Sequence, residues 1–383
     1  MPVFKRHSPV ARLALLPALV LVGAAVAGAL ACTGSSAQAP KAKVAAAGWS
    51  GFGVGNWPGA SWRPYSAKSP FNTKIPRKVK VHPNSKQYVQ QMLQWGKVSD
   101  IKGGFAGTAN DYAHPTYWAQ PSDPVYRLQP STNWGDPKIG GHNIRIPRGA
   151  TPAPGSDGHM TVVQPDGWEY DFWRASKPGP NGGVLNYAGG ARTRITGSGV
   201  KVGATASDFG NLAGVIRGPE LAAGKINHAL FLVLKCTSPG TEYGFGTKHR
   251  SGDGAFVYPA YGGGSSCGGN IPAVPMGARL QLAMSEKKIK SLKLPAWKRA
   301  ILRAWARYGA YVGDTGGEGI GLMTESGLTY TAFGRPDPFV EFGKQRTAAG
   351  DNQVKANGQF RLFNVADGVD WANKLRFVAP PKH

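Results

Sequence analysis

Acidic side chains are scarce in this chain. Against 45 Lys and Arg its 383 residues include 21 Asp and Glu, a formal net charge of +24. No acid lies before Asp100, while thirteen Lys or Arg do. A field of that sign favours an anionic partner such as nucleic acid, an acidic polysaccharide or an anionic envelope. It also simply keeps an exported protein soluble. Charged residues make up only 17% of the chain, whereas Gly (54) and Pro (30) are plentiful. That balance favours many short strands joined by turns over a helical bundle. The sequence has no HxH, HExxH or paired CxxC, so no metal is expected. Gly51-Phe-Gly53-Val-Gly55 lacks a preceding strand and a following helix, so no dinucleotide cofactor is expected either. No recognisable nucleic-acid module accompanies the positive charge, and no repeat recurs at a fixed period.

One long apolar run is present, at the N-terminus. Lys5, Arg6 and Arg12 precede an uncharged stretch from Leu13 to Ala31, and small residues follow. This is the pattern of an export signal. Ala37-Gln38-Ala39 is one cleavage site. Ala29-Leu30-Ala31-Cys32 resembles a lipoprotein box, and cleavage there would leave a lipidated Cys32 attached to a membrane. The nineteen uncharged residues would also just span a bilayer. Residues 1–39 are read as the signal, 40–60 as a flexible linker rich in Ala, Gly and Lys, and 61–383 as one domain opening with an extended N-terminal arm. With the signal removed, Cys236 and Cys267 remain, and two cysteines in an exported chain predict a disulfide.

His159 to Arg174, HMTVVQPDGWEYDFWR, is the most informative stretch. Two runs of β-formers flank Pro165-Asp166-Gly167, where Pro presets φ and Gly supplies a positive φ, a tight hairpin loop. With Gln164 facing Trp168, Val163 lies opposite Glu169, Thr161 opposite Asp171 and His159 opposite Trp173. Alternation then puts Met160, Val162, Trp168, Tyr170 and Phe172 on one apolar face. His159, Thr161, Val163, Glu169, Asp171 and Trp173 share the other. A face bearing a His, two carboxylates and a Trp predicts an open binding or catalytic floor. The two acids, two residues apart on a strand, would stand ~6–7 Å apart, which brackets the spacing of paired-acid glycosidases.

Elsewhere Ser85 is expected to cap a short helix over 84–95. Leu294 to Val312 reads as one long amphipathic helix, with Trp297, Ile301, Trp305, Tyr308 and Val312 as its apolar stripe. Arg299, Arg303 and Arg307 form a basic row on another face, and Gly313-Asp314-Thr315-Gly316-Gly317 reads as the helix stop. Asn227 to Cys236 is the most apolar strand candidate. The expected fold is mainly β, an antiparallel β-sandwich of jelly-roll type with that helix and a few short ones.

Glu169-Tyr-Asp171-Phe-Trp173 resembles part of the E-x-D-x-E strand of laminarinase-like jelly-roll glycoside hydrolases. That resemblance implies Glu169 as nucleophile and Asp171 as its orienting neighbour, while Trp173 stands where the family has its acid. DGHM at 157–160, INHALF at 226–231, PMGARLQL at 275–282 and RYGAYVGDTGG at 307–317 resemble segments of secreted bacterial β-sandwich proteins with no established function.

The sequence therefore predicts a secreted, monomeric carbohydrate-active enzyme cleaving an extracellular or cell-wall polysaccharide, one that the charge suggests is acidic. Hydrolysis would run through Glu169 and Asp171. Lyase chemistry would use His159 or His228 as base, with Arg192 or Arg194 neutralising a uronate carboxylate. Tyr117, Trp118 and Trp173 are the expected sugar-stacking aromatics. The alternative is a non-catalytic, lectin-like envelope-binding protein.

Overall fold

Pro165-Asp166-Gly167 closes the hairpin as its residues require. Gly167 adopts φ +85°. Gln164 N donates to Trp168 O at 2.7 Å, and Gly167 N to Gln164 O at 2.9 Å. The pairs Val163–Glu169 and Thr161–Asp171 lie opposite one another, in the register read from the sequence. The structure, a computed structural model, describes residues 49–132, 139–201, 204–239, 255–269, 271–317 and 319–380. The signal, Cys32 and the linker up to residue 48 lie outside the described residues.

The described chain is mainly β. It runs through α1 (Ser85–Gln94), β1 (Ile101–Gly103), β2 (Thr116–Trp118), β3 (Val125–Pro130), β4 (Asn143–Arg145), β5 (Met160–Val163), β6 (Trp168–Trp173), β7 (Gly183–Tyr187) and β8 (Gly189–Arg194). After α2 (Gly218–Ala222) come β9 (Leu230–Leu234), β10 (Arg279–Leu282), α3 (Glu286–Ser291), α4 (Ala296–Arg307), β11 (Ala310–Thr315) and β12 (Gly321–Leu322). The chain ends with α5 (Leu328–Thr331), α6 (Pro338–Ala348), β13 (Val354–Asn357), β14 (Phe360–Phe363), α7 (Trp371–Lys374) and β15 (Leu375–Val378).

The strands form four sheets, ordered β2-β5-β6-β8, β4-β3-β7, β12-β9-β11-β10-β15 and β1-β14-β13. The expectation of antiparallel pairing throughout does not hold. β2 runs parallel to β5, β3 to β7 and β9 to β11. Alternation within a strand reveals its faces but not its neighbour, and parallel neighbours are joined by long excursions that local pattern cannot trace. Met160, Val162, Tyr170 and Phe172 pack with Leu128, Ile144, Leu185 and Tyr187 of the β4-β3-β7 sheet. A second, larger core surrounds the five-stranded sheet and takes in Trp297, Ile301 and Trp305 of α4.

The long helix is shorter than its apolar stripe suggested. α4 stops at Arg307, Gly309 turns the chain at φ +75°, and Val312 belongs to β11. Strand and helix happen to place Trp305, Tyr308 and Val312 at spacings that read as one stripe. Asp314-Thr315 is thus strand, not helix stop. The basic row is tied down locally: Arg303 Nε meets Glu286 Oε1 at 2.7 Å, and Arg299 donates to Leu294 O.

From Trp49 onward the expected linker is packed on the body. Phe52 meets Trp62 and Trp118 edge-on, with ring centroids 5.7 and 5.0 Å apart. The Arg217 guanidinium gathers the carbonyls of Pro58, Gly59 and Trp62. Ser85 opens α1 rather than capping it, and its Oγ accepts from Phe377 N. Cys236 and Cys267 are disulfide-bonded. Among the described residues no helix is long and apolar enough to cross a membrane.

Candidate active site

The face bearing the two carboxylates is covered rather than open. Glu169 and Asp171 are both 0% exposed. Gly210-Asn211-Leu212 and the arm residue Tyr65 lie over them. Glu169 Oε1 accepts from the Tyr65 hydroxyl at 2.9 Å and from Leu212 N at 3.3 Å. Asp171 Oδ1 accepts from Thr161 Oγ1 at 3.0 Å, and its Oδ2 from Asn211 N at 3.0 Å. Burial, with the Asp171 charge, holds the Glu169 carboxyl well above its ordinary range. Burial raises Asp171 to about 7 against its hydrogen bonds. The open trough expected here is instead an internal brace, because the covering segment arrives from forty residues further along.

His228 is also internal. Its Nε2 lies 3.1 Å from Glu220 Oε1 and its Nδ1 2.7 Å from Ala229 O, so both ring nitrogens are engaged. Burial would raise the Glu220 carboxyl, but the charges of Arg217 and His228 outweigh it and hold Glu220 below its usual range. Arg192 and Arg194 lie on the opposite face of the hairpin sheet, 4.2 and 4.0 Å over the Trp168 ring, away from His159. Tyr117 and Trp118 sit in a strand buried on both faces. Tyr117 donates to Thr151 O at 2.6 Å and Trp118 packs edge-on against Trp62, so neither is open to a sugar ring.

His159 does reach a cavity. A groove of about 590 Å³ opens where the C-terminal ends of β9 and β11 meet the start of β5. Among the described residues its walls include six carboxyl groups, Asp100, Asp111, Asp157, Asp314, Glu325 and Asp337, and Lys102 as the one Lys or Arg. The bridges His114–Glu325 and Ile216–Thr324 sew the loops around it to one another.

Asp157, His159 and Asp314 all line the groove, and Asp157 is near enough for its charge to act on Asp314. Asp314 sits near the end of β11, partly open to the groove, and its Oδ1 accepts from Thr315 N at 2.7 Å. Desolvation, with a contribution from the Asp157 charge, raises its carboxyl to about 7. Asp157 is held by Trp173, whose indole N–H donates to Oδ1 at 3.1 Å. Trp173 thus positions an acid rather than presenting a bare stacking face, and Arg174 covers its ring at 4.4 Å.

His159 is 3% exposed and its Nδ1 has no hydrogen-bond partner. Burial lowers it to about 4, so it is neutral at pH 7. Its ring centroid lies 4.6 Å from that of His114. Burial, reinforced by His159, lowers His114 to about 3, and its Nδ1 meets Asn211 O at 2.7 Å.

Elsewhere on the groove wall Asp111, raised to about 6 by burial, accepts from Ser326 Oγ at 2.6 Å. Glu325, raised to about 7 by burial, accepts from the Tyr330 hydroxyl at 3.0 Å. Among the described residues no group of three or more His, Cys, Asp or Glu could hold a metal ion.

Sequence reasoning missed Asp157 and Asp314 as a pair. Both lie in segments that carry the resemblance noted above, DGHM and RYGAYVGDTGG, but nothing local showed that those segments line one groove. No family model, no curated protein and no solved structure matches this chain.

Proposed function

We propose that the chain is an extracytoplasmic glycoside hydrolase acting on a neutral or amino-substituted polysaccharide. Asp157 and Asp314 in the wall of one open groove, near enough for the charge of the first to act on the second, carry this reading. A proton donor to a glycosidic oxygen must keep its proton near neutral pH, and desolvation gives Asp314 that property. Asp157, oriented by Trp173, is the partner carboxylate that activates water or stabilises the developing positive charge of the sugar ring. Neutral His159 lines the same groove, with an Nδ1 free of protein partners that supports a role in hydrogen-bonding a sugar hydroxyl. The remaining carboxyls suit hydrogen bonds to sugar hydroxyls and ammonium groups.

The charge of the groove argues against a uronate substrate. A lyase needs a cation at the substrate carboxylate, and Arg192 and Arg194 stand on the other face of the sheet. The core shared by the hairpin sheet and the β4-β3-β7 sheet supports a sandwich reading of this part of the scaffold. Export is supported by the N-terminal sequence pattern and by the Cys236–Cys267 disulfide.

The test is a panel of neutral, amino and acidic polysaccharides, read for new reducing ends and for unsaturated uronates. Release of reducing ends from a neutral or amino polymer, lost by about 10²-fold or more in both Asp314→Asn and Asp157→Asn, is the expected result. Unsaturated uronates would replace this reading with the lyase. Binding with no cleavage would replace it with the lectin-like protein.

A further inference from the structure

A second cavity, of about 430 Å³, has the opposite character. Its lining includes Lys68, Lys74, Lys78, Lys80 and Arg279, and no Asp or Glu among the described residues. The four lysines are exposed. No ion pair involves them among the described residues. They come from the acid-free N-terminal arm, whose backbone is pinned at both ends of the lysine run. Ile75 N donates to Arg307 O at 2.7 Å, and Ala379 N to Lys80 O at 2.8 Å. The bridge between Val81 and Val378 then lays the arm along the outer edge of β15.

Arg279 is fixed in the wall: its Nε donates to Tyr308 O at 2.8 Å, and its guanidinium lies 5.0 Å from the Tyr311 ring. Tyr258, 36% exposed, supplies an aromatic side to the same cavity.

We propose that this cleft is a docking site for an acidic polysaccharide, separate from the groove and independent of whether the groove is hydrolytic. Unpaired lysines displayed from an anchored backbone can meet successive anionic groups of a polymer, and the attraction is not cancelled by local acids. An exposed tyrosine beside them can stack on a sugar ring. The two cavities share one strand. Tyr311 lines the cleft, while Asp314 and Thr315 line the groove, about 10 Å further along β11 at the usual strand rise. Charge is thus sorted along β11, with the anion-attracting residues at its start and the carboxyls at its end. The high positive charge of the sequence finds a specific place, and it is not the groove.

The experiment is binding of the mature protein to polygalacturonate, inorganic polyphosphate, neutral dextran and duplex DNA at two ionic strengths. Expected is salt-sensitive binding to polygalacturonate and none to dextran. The triple variant Lys74→Glu, Lys78→Glu, Lys80→Glu should lose that binding by about 30-fold or more. The control Lys287→Glu, Lys288→Glu, which carries the same kind of change on α3, should lose less than about 3-fold, and Tyr258→Ala should weaken polygalacturonate binding.

Equal losses in the two lysine sets would overturn the proposal in favour of diffuse charge. Binding to polyphosphate as tight as to polygalacturonate, unaffected by Tyr258→Ala, would overturn the sugar-recognising part. Tighter, lysine-dependent binding to DNA would overturn the choice of partner. No binding to polygalacturonate at low salt would overturn the site altogether.

Discussion

The Tyr65 hydroxyl donates to Glu169 Oε1 at 2.9 Å, across 104 residues of chain. This contact fixes the N-terminal arm onto the hairpin and takes Glu169 out of contact with substrate. Glu169→Gln should therefore leave polysaccharide cleavage within about 3-fold of the parent, because Glu169 is fully buried under Tyr65 and Leu212 and does not line the groove. Tyr65→Phe should lower unfolding free energy by about 0.5–1.5 kcal/mol, the range for losing one buried hydrogen bond while Leu212 N still donates to the same oxygen, with activity retained. Chemical denaturation alongside the reducing-end assay separates the two effects. Loss of cleavage in a stably folded Glu169→Gln protein would return the chemistry to the hairpin.

The same contact explains Gly210. A Cβ built there would stand 2.1 Å from the Tyr65 hydroxyl and 3.1 Å from Glu169 Oε1. The hydroxyl ends a rigid ring and cannot give way cheaply. Gly210→Ala should destabilise the fold by about 1–3 kcal/mol or more, whereas Gly269→Ala, which meets nothing within 4 Å, should be near neutral. Melting temperatures of the two variants check this.

If the groove is hydrolytic as proposed, Asp314 should set the alkaline side of its activity profile. With its carboxyl raised to about 7, the proton it would donate is lost above that pH. Cleavage should fall as pH rises through about 7, and Asp314→Asn should remove activity by about 10²-fold or more across the range. A profile flat to pH 9 would remove Asp314 from the role of donor.

Stability should move the same way. Asp111 is raised to about 6, and Asp171, Asp314 and Glu325 to about 7. Between their ordinary values and these, the folded chain holds protons that the unfolded chain has released, so stability falls as pH rises through that window. Buried His159 and His114, lowered to about 4 and about 3, act oppositely: they cost stability as pH falls below about 6.5. With Glu169 and Asp337 also raised and His82 and His142 also lowered, six carboxyls stand against four imidazoles and outweigh them. Thermal unfolding should be about 2 °C or more higher at pH 5.5 than at pH 7.5, and a shift in the opposite direction would contradict the burial of these acids.

Reduction offers a separate check. The disulfide joins residues 31 apart, and opening a loop of that size should cost about 3–4 kcal/mol of unfolding free energy. Cys236→Ser with Cys267→Ser should show it in urea denaturation. Loss below about 1 kcal/mol would mean that the bond does little to restrain the unfolded chain.

The hairpin was legible because its turn chemistry and its alternation are both local. Pro165-Asp166-Gly167 sets the loop, and the register follows. What covers a strand face is not local. Tyr65 comes from 104 residues before Glu169, and Asn211 from 40 residues after Asp171, so a polar face meeting polar backbone looked like a face meeting solvent. Asp157 and Asp314 were hidden for the same reason, since one precedes β5 and the other lies near the end of β11 in a different sheet, and each alone reads as a turn residue. The apolar stripe over 297–312 misled because Gly309 breaks it with a turn that hydrophobic spacing does not register. Tyr117 and Trp118 misled in a related way, since they look like surface aromatics only until Phe333 packs on the one and Phe52 and Trp62 on the other.

β9 and β11 run side by side in the same direction, and both finish at the groove. Just past the strand ends Gly316 N donates to Leu234 O at 2.8 Å, and Cys236 is held by its disulfide. The rim that decides what the groove admits is therefore held in step with the ladder beneath it, so a change in one departing segment is felt by the other.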